Sequence, residues 1–356
     1  MKKQYKISVA VITYNQQDTI GQTLDSILMQ QGDFDLEVVI GEDCSTDTTY
    51  AICEKYARQW NDEMSRTKVL NGPHALNDGP GKRIVKLLPN THNLGIMANF
   101  ARVMLACKGD YVGICAGDDY WCDNNKLQKQ LDYFILHQDI GVVSTAGYKL
   151  MVKSNKLVPN AVAPINPIHD GNVKPFYFSA DYKGGVYAMP LTLLIRRALL
   201  KHIDFEEFIR RGFPVEDYPM QAILSQYTRW GHITDLCVVY RVYKESTTFI
   251  ELDNPKYLQY HKGLMNVRRY LNGLFPNDAC FSETQLQEYE FYKEFLLYLH
   301  QFDYAKAKLL IANVQDTIAN SSKVCLARRY TSSKLHFILF HFYKEYSYHK
   351  DIKKRT

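Results

Sequence analysis

Gly109-Asp110-Tyr111-Val112-Gly113-Ile114-Cys115-Ala116-Gly117-Asp118-Asp119 reads as a short buried strand, Tyr111 to Ala116, that runs straight into two adjacent carboxylates. Small and apolar residues bounded by glycines suit the centre of a parallel sheet covered on both faces. In open α/β sheets ligands sit beyond the carboxyl ends of the strands, where Asp118 and Asp119 would project. Two neighbouring acids repel unless a cation or a set of donors neutralises them. Oxygen-only ligands favour a hard cation, Mn²⁺ or Mg²⁺, whose shell phosphate oxygens usually complete. Gly-Asp-Asp is also ordinary turn chemistry. The stretch alone leaves metal site and solvated turn open.

The flanking sequence repeats the same pattern. Ile7–Ile12 is β-branched and apolar, a predicted buried strand ending in Thr13-Tyr14-Asn15. Ile20, Leu24, Ile27 and Leu28 follow at helical spacing behind Asp18 or Thr19 as cap. Leu36–Ile40 is a second strand, ending in Gly41-Glu42-Asp43-Cys44-Ser45-Thr46-Asp47, and Ile52, Tyr56 and Trp60 mark the helix behind it. Asn61 to Gly81 is polar and rich in Gly, Pro and Asn, the composition of an irregular surface insertion. Ile84–Leu88 is a third strand, and His92-Asn93-Leu94-Gly95 leads into a helix with Met97, Phe100, Ala101, Met104 and Leu105 on its face. After the central strand comes a helix carrying Leu127, Leu131, Phe134 and Ile135. Strand–helix–strand in succession predicts a mostly parallel open sheet with helices on both faces. Three strand ends then deliver polar or acidic residues to one edge, which favours a site over a turn.

From about Ile140 the alternation weakens. Gly141–Val152 reads as a strand, Lys153–Pro175 as a proline-rich loop, Leu191–Ile195 as another apolar run after Gly184-Gly185. Val215-Glu216-Asp217-Tyr218-Pro219 opens a helix carrying Ile223, Leu224 and Tyr227, and His232–Tyr243 is a closing strand. Beyond Asn254 the signals are helical, aromatic and basic. The expected division is a first α/β half over about 1–122, a second half over about 123–250, and a helical C-terminal region over 251–356.

Charge divides along the same line. Residues 1–254 hold 27 basic and 29 acidic side chains, whereas residues 255–356 hold 16 and 9, a net +7. An acidic partner, if any, therefore belongs to the C-terminal third, and no nucleic-acid partner is expected. The eight cysteines form no C-x-x-C and read as reduced thiols. The apolar run after the basic N-terminus is too short for a signal-peptide core, and no stretch reaches the roughly 20 apolar residues that span a bilayer. The expected location is the cytoplasm.

The chain resembles family 2 glycosyltransferases, inverting, nucleotide-sugar-dependent enzymes of the GT-A fold, over roughly residues 5–245. The resemblance rests on Val11–Asn15, Ile40–Thr48, Asn93-Leu94-Gly95, Gly117-Asp118-Asp119-Tyr120-Trp121 and Glu216-Asp217, in this order. It implies that Thr13, Tyr14 and Asn15 line the nucleotide pocket and that Glu42 stands where the family commonly has an Asp against the base. Asp118 would lie near the ribose and Asp119 would ligate the Mn²⁺ or Mg²⁺ on the diphosphate, although a strict D-x-D is absent. Asp217 would be the catalytic base, supported by Glu216. The implied partners are a nucleotide sugar, a UDP-sugar favoured, and a glycan or lipid-linked acceptor, in surface polysaccharide synthesis.

Each residue has a plainer account. Asp217 suits a helix cap before Pro219. Glu42 and Asp43 suit a helix dipole. Trp121 fits a core as well as a sugar-stacking face, and Gly184-Gly185 fits a bare turn as well as a close approach of sugar to backbone. A nucleotidyltransferase would carry a Gly-rich, basic loop after the first strand, whereas Thr13–Asp18 has no basic residue. A non-catalytic nucleotide- or sugar-binding module with a helical interaction domain has no need of four acids. In the C-terminal region, Leu335, Phe337, Ile338, Leu339, Phe340, Phe342 and Tyr343 crowd together ahead of Lys344, Lys350, Lys353, Lys354 and Arg355. That composition fits an interfacial helix on an anionic membrane. It equally fits a buried helix with a solvated basic tail.

Overall fold

A computed structural model describes residues 4–62, 81–160, 171–178, 187–243, 252, 254–279 and 281–355, with the backbone alone given over 345–355. The strands are β1 (Tyr5–Thr13), β2 (Phe34–Glu42), β3 (Arg83–Pro89), β4 (Tyr111–Ala116), β5 (Tyr120–Trp121), β6 (Ile140–Met151), β7 (Lys156–Asn160), β8 (Leu194–Arg196) and β9 (Arg229–Val242). They form one nine-stranded sheet in the order β3-β2-β1-β4-β8-β6-β9-β5, with β7 on β6. β1 to β4 are parallel neighbours. Their connections carry α1 (Ile20–Leu28), α2 (Thr49–Asn61) and α3 (Ile96–Ala106). Beyond β4 the pairing is mixed: β8 runs antiparallel to β4 and β6, while β6 and β9 run parallel.

β1, β2 and β4 are mostly apolar because both faces are covered, and the buried polar pair between β1 and β2 is satisfied internally, Ser8 Oγ donating to Glu37 Oε2. Val9, Val11, Val38, Ile40 and Cys115 are fully buried in one core with Ile20, Leu24 and Ile27 of α1. The register then aligns the carboxyl ends. Ile12 lies opposite Gly41 on one side and Ala116 on the other, and Thr13 opposite Glu42. The residues that follow these three strands therefore emerge at one level of one sheet edge.

Two helix faces differ from the periodicity reading. Leu105 is 60% and Ile135, on α4 (Lys126–Leu136), 43% exposed. Val103 fills the α3 face instead, packed so closely on Gly41 that no β-carbon fits there. β7 also lies inside the stretch read as loop. The expected insertion falls on residues 63–80, outside the described ones.

The chain divides into two compact units, residues 1–211 with 215–242, and 212–214 with 243–356. The first also holds α5 (Lys174–Tyr177), α6 (Phe205–Arg210) and α7 (Asp217–Tyr227). The second is helical: α8 (Tyr257–Leu274), α9 (Glu283–His300), α10 (Tyr304–Ala312), α11 (Ser322–Thr331) and α12 (Lys334–Arg355). Its core gathers Phe291, Phe295, Leu299, Ala307, Val324, Ala327, Phe337 and Phe340. No helix among the described residues is long and apolar enough to cross a membrane.

Candidate active site

The loops after β1 and β2 are laced to each other. Asn15 sits at φ 51°, a left-handed conformation that Asn tolerates better than most residues. This turns its Oδ1 to accept the Thr46 N–H at 2.8 Å, while its own N–H donates to Ser45 Oγ at 2.9 Å. Gln16 N donates to Thr49 Oγ1 at 2.8 Å and Gln17 N to Asp47 Oδ2 at 3.2 Å. Thr13 is buried, its Oγ1 donating to Gln16 Oε1 at 2.8 Å, and Tyr14 is 43% exposed beside it.

Glu42, the last residue of β2, lies beneath its own loop. It is 1% exposed, and its Oε1 accepts the Ser45 N–H at 2.8 Å, so it holds the loop from beneath. Asp43 does the same for the next loop. It accepts Leu94 N at 2.8 Å, Gly95 N at 2.9 Å and Asn90 Nδ2 at 2.7 Å, fixing the turn into α3 where Gly95 takes φ 81°.

Asp118 and Asp119 follow Gly117 at the end of β4. A β-carbon on Gly117 would stand 2.7 Å from Thr13 Oγ1, so only glycine lets this turn pass the first loop. The Gly117 carbonyl accepts Thr19 Oγ1 at 2.9 Å and Thr23 Oγ1 at 3.0 Å, which is why Thr19 precedes α1 without capping it. Asp118 is partly exposed and receives a hydrogen bond from the Gln16 side chain. Asp119 is 3% exposed, and its Oδ1 accepts Arg241 N at 2.8 Å. Burial pushes the Asp119 carboxyl well above the usual carboxylate range and the Asp118 charge adds to it; burial raises Asp118 as well.

Such a pair fits a divalent cation. It offers adjacent hard oxygen donors whose ionised forms are penalised until positive charge arrives. Among the described residues no cluster of three His, Cys, Asp or Glu side chains could hold a metal alone. A cation held here would need further oxygen donors.

Trp121 is not a stacking platform. It is 2% exposed, its Nε1 donates to Leu191 O at 3.1 Å, and Lys126 Nζ lies 4.1 Å from its ring centre. Strand alternation gives the open side to Tyr120 instead, and Arg241 stacks its guanidinium there, 4.8 Å from the ring centre.

Glu216 and Asp217 start α7. Glu216 is the N-cap residue but makes no side-chain cap bond, while Asp217 Oδ1 accepts the Tyr218 N–H at 2.7 Å. Asp217 is therefore the first residue of the helix rather than its cap, and it bonds its neighbour's N–H through one of its two carboxylate oxygens. Both acids are half-buried in dense surroundings. Burial and then the Asp217 charge push Glu216 up to about 8, and burial raises Asp217. The buried Tyr177 and Gln221 hold this turn in place: Tyr177 Oη donates to Gln221 Oε1 at 2.7 Å, and Gln221 Nε2 donates to Ala188 O at 2.8 Å. Tyr177 also stacks on Tyr218 at 6.1 Å. No hydrogen bond among the described residues joins the two acid pairs. Gly184 and Gly185 lie outside the described residues.

The model of the family described as Glycosyl transferase family 2 matches residues 8–203, from β1 past β8. The chain belongs to this family. A Staphylococcus aureus poly(ribitol-phosphate) beta-N-acetylglucosaminyltransferase, TarS, is 41% identical over 253 residues, 67% of this chain and 36% of that protein. The chain spans about a third to a half of the length of the curated relatives it matches. The crystal structure of TarS 1–349 in complex with UDP-GlcNAc superposes with a TM-score of 0.54 at 17% identity, covering 97% of this chain and 92% of that one. A mannosyltransferase from Pyrobaculum calidifontis in complex with GDP-Man and Mn²⁺ gives 0.50 at 15% identity over 95% and 86%. These likenesses carry the GT-A-like fold of a family 2 chain.

Arg241 is the site residue that sequence reading missed. Besides its N–H to Asp119, its guanidinium donates to Asp118 O and to Gln22 Oε1. The signal was present: a lone cation after Val238-Val239-Tyr240 and before Val242 in a buried strand must find partners.

Proposed function

We propose that this chain is a metal-dependent, inverting glycosyltransferase that moves one sugar from a nucleoside-diphosphate sugar to a hydroxyl of a glycan or lipid-linked acceptor. A UDP-sugar is the favoured donor, and surface polysaccharide synthesis in the cytoplasm is the setting. The observation that carries this reading is the buried, cation-seeking pair Asp118–Asp119 at the sheet edge of a family 2 chain. That chain has a second acid pair, Glu216–Asp217, raised toward neutrality.

In this reading Thr13, Tyr14 and Asn15 border the nucleotide, and Glu42 and Asp43 keep their loop in shape. Mn²⁺ or Mg²⁺ held by Asp119 beside Asp118 supplies positive charge to the diphosphate as it leaves. Asp217 takes the proton of the attacking hydroxyl, and burial, which raises its affinity for protons, suits it to that task. Glu216, whose own proton the Asp217 charge helps to hold, supports it from the neighbouring position. Attack opposite the leaving group needs one such base and inverts the anomeric carbon.

Purified full chain is to be incubated with UDP-GlcNAc, other UDP-sugars and GDP-mannose, with and without Mn²⁺, while nucleoside diphosphate release is followed. Release that requires Mn²⁺ and is enhanced by a polyol-phosphate or glycan acceptor supports the reading. Donor binding without any turnover would identify a binding module instead.

A further inference from the structure

α12 is two-faced. Phe337 and Phe340 are 1% and 4% exposed in the core of the C-terminal unit, and His341 Nδ1 lies 2.8 Å from Leu299 O. Leu335, Leu339, Phe342 and Tyr343 recur at i, i+4, i+7 and i+8 and are 58–65% exposed. At 3.6 residues per turn these four form a stripe facing away from Phe337. Phe302, on the turn after α9, belongs to the other side of the helix, where its ring meets that of Phe337 at 6.3 Å. It is 47% exposed, at φ 59°, and meets the His341 ring edge-on at 4.8 Å. One side of the helix is thus core, and the other presents apolar side chains to solvent.

The charge around the stripe selects its occupant. Residues 328–356 hold eight Lys and Arg against two acids. Arg328, Arg329 and Lys334 are exposed before the stripe, and the helix runs on to Arg355 through Lys350, Lys353 and Lys354. Two copies of the chain meeting through this face would set two strongly cationic segments together, a like-charge contact. An anionic lipid surface offers the opposite charge to the cations and an acyl boundary to the leucine and aromatic side chains.

We propose that the exposed face of α12 docks on an anionic bilayer surface, with Leu335, Leu339, Phe342 and Tyr343 at the headgroup–acyl boundary. The flanking cations lie among the lipid phosphates. This is the arrangement of an interfacial helix, in which buried apolar area and electrostatic attraction act together. Each cation near such a surface raises partitioning about fivefold, and salt screens the effect. The inference is independent of the transferase reading.

The test is flotation of the full chain with vesicles of phosphatidylcholine alone and of equal parts phosphatidylcholine and phosphatidylglycerol. The wild type is expected to float with the anionic vesicles at low salt, to stay behind with the neutral ones, and to be released at about 1 M salt, where screening reaches about 3 Å. L339E/F342E is expected to lower the floated fraction at least tenfold with unchanged helical circular dichroism. K350Q/K353Q/K354Q/R355Q, which alters no described core contact, is expected to lose the preference for anionic vesicles. Wild type that fails to float with anionic vesicles overturns the proposal, as does equal, salt-insensitive binding to both compositions. A dimer in light scattering that L339E/F342E dissolves, without vesicle binding, would assign the face to a second copy.

Discussion

Arg241→Ala removes the guanidinium that Asp118 O and Gln22 Oε1 share and its stacking over Tyr120, while the Arg241 N–H to Asp119 Oδ1 remains. A hydrogen bond from a charged donor is worth about 1.5–3 kcal/mol where water cannot replace it. The part-buried Asp118 carbonyl takes that figure, whereas Gln22 is exposed and water recovers most of its bond. The stacked cation adds about 0.5–1 kcal/mol. Part of the loss returns, since a 9%-exposed guanidinium no longer has to be desolvated. The net cost is about 2–3 kcal/mol. In a catalytic unit of this size that lowers Tm by about 4–12 °C.

The same change frees the Asp118 main chain and withdraws a positive charge that favours ionisation of both acids. Misalignment costing about 1.4 kcal/mol raises the Mn²⁺ concentration for half-maximal turnover tenfold. Arg241→Lys keeps the charge without the planar fork and should fall between the two. Scanning fluorimetry, paired with diphosphate release across a Mn²⁺ titration, reads both effects. A variant that melts early yet keeps wild-type Mn²⁺ dependence would reduce Arg241 to a core tie. An unchanged Tm would refute the contact accounting itself.

Asp119→Asn should abolish turnover while the protein remains folded, and near-normal metal-independent release would sink the metal assignment. Asp217→Asn should lower transfer about 10²–10⁴-fold with donor binding retained in calorimetry, and a parallel loss of donor affinity would mark a donor-binding or structural role. In a pH–rate profile turnover should rise above the ordinary carboxylate range as Asp217 loses its proton, and that limb should persist in Glu216→Gln, because Glu216 still holds its own proton there. The stability sign is opposite. Folding holds Glu216 near 8 against an ordinary 4.5, so the native state binds the extra proton and urea stability should decline as pH rises between those values, a decline absent in Glu216→Gln.

The strand–helix repeat was legible because each central strand is buried on both faces and leaves a nearly continuous apolar run between polar ends, interrupted only by Ser8 and Glu37. Ile7–Ile12, Leu36–Ile40 and Tyr111–Ala116 fall inside β1, β2 and β4 for that reason. Their register brings Thr13, Glu42 and Gly117 to one edge, which no local pattern encodes but parallel pairing makes unavoidable. β7 escaped because a hairpin partner on an edge needs little hydrophobicity of its own. Its Pro159 is tolerable where one side of the strand lacks a neighbour.

The misplaced site residues share a cause: side-chain direction depends on partners far away in sequence. Trp121 follows the acids closely enough to suggest the ligand, yet pairing of β5 with β9 turns it inward onto Lys126 and Leu191. Glu42 has a structural partner that the sequence did not show, because Cys44, at φ 60°, folds the loop back so that Ser45 N–H meets its carboxylate. Arg241 is the converse case. It lies 122 residues beyond Asp119 and becomes part of the site because β9 closes against β5, so that one residue serves Asp119 through its backbone and Asp118 through its side chain. Acids in this protein announce themselves by adjacency, but the group that aligns them is found only by asking where a cation in a buried strand can place its five donors.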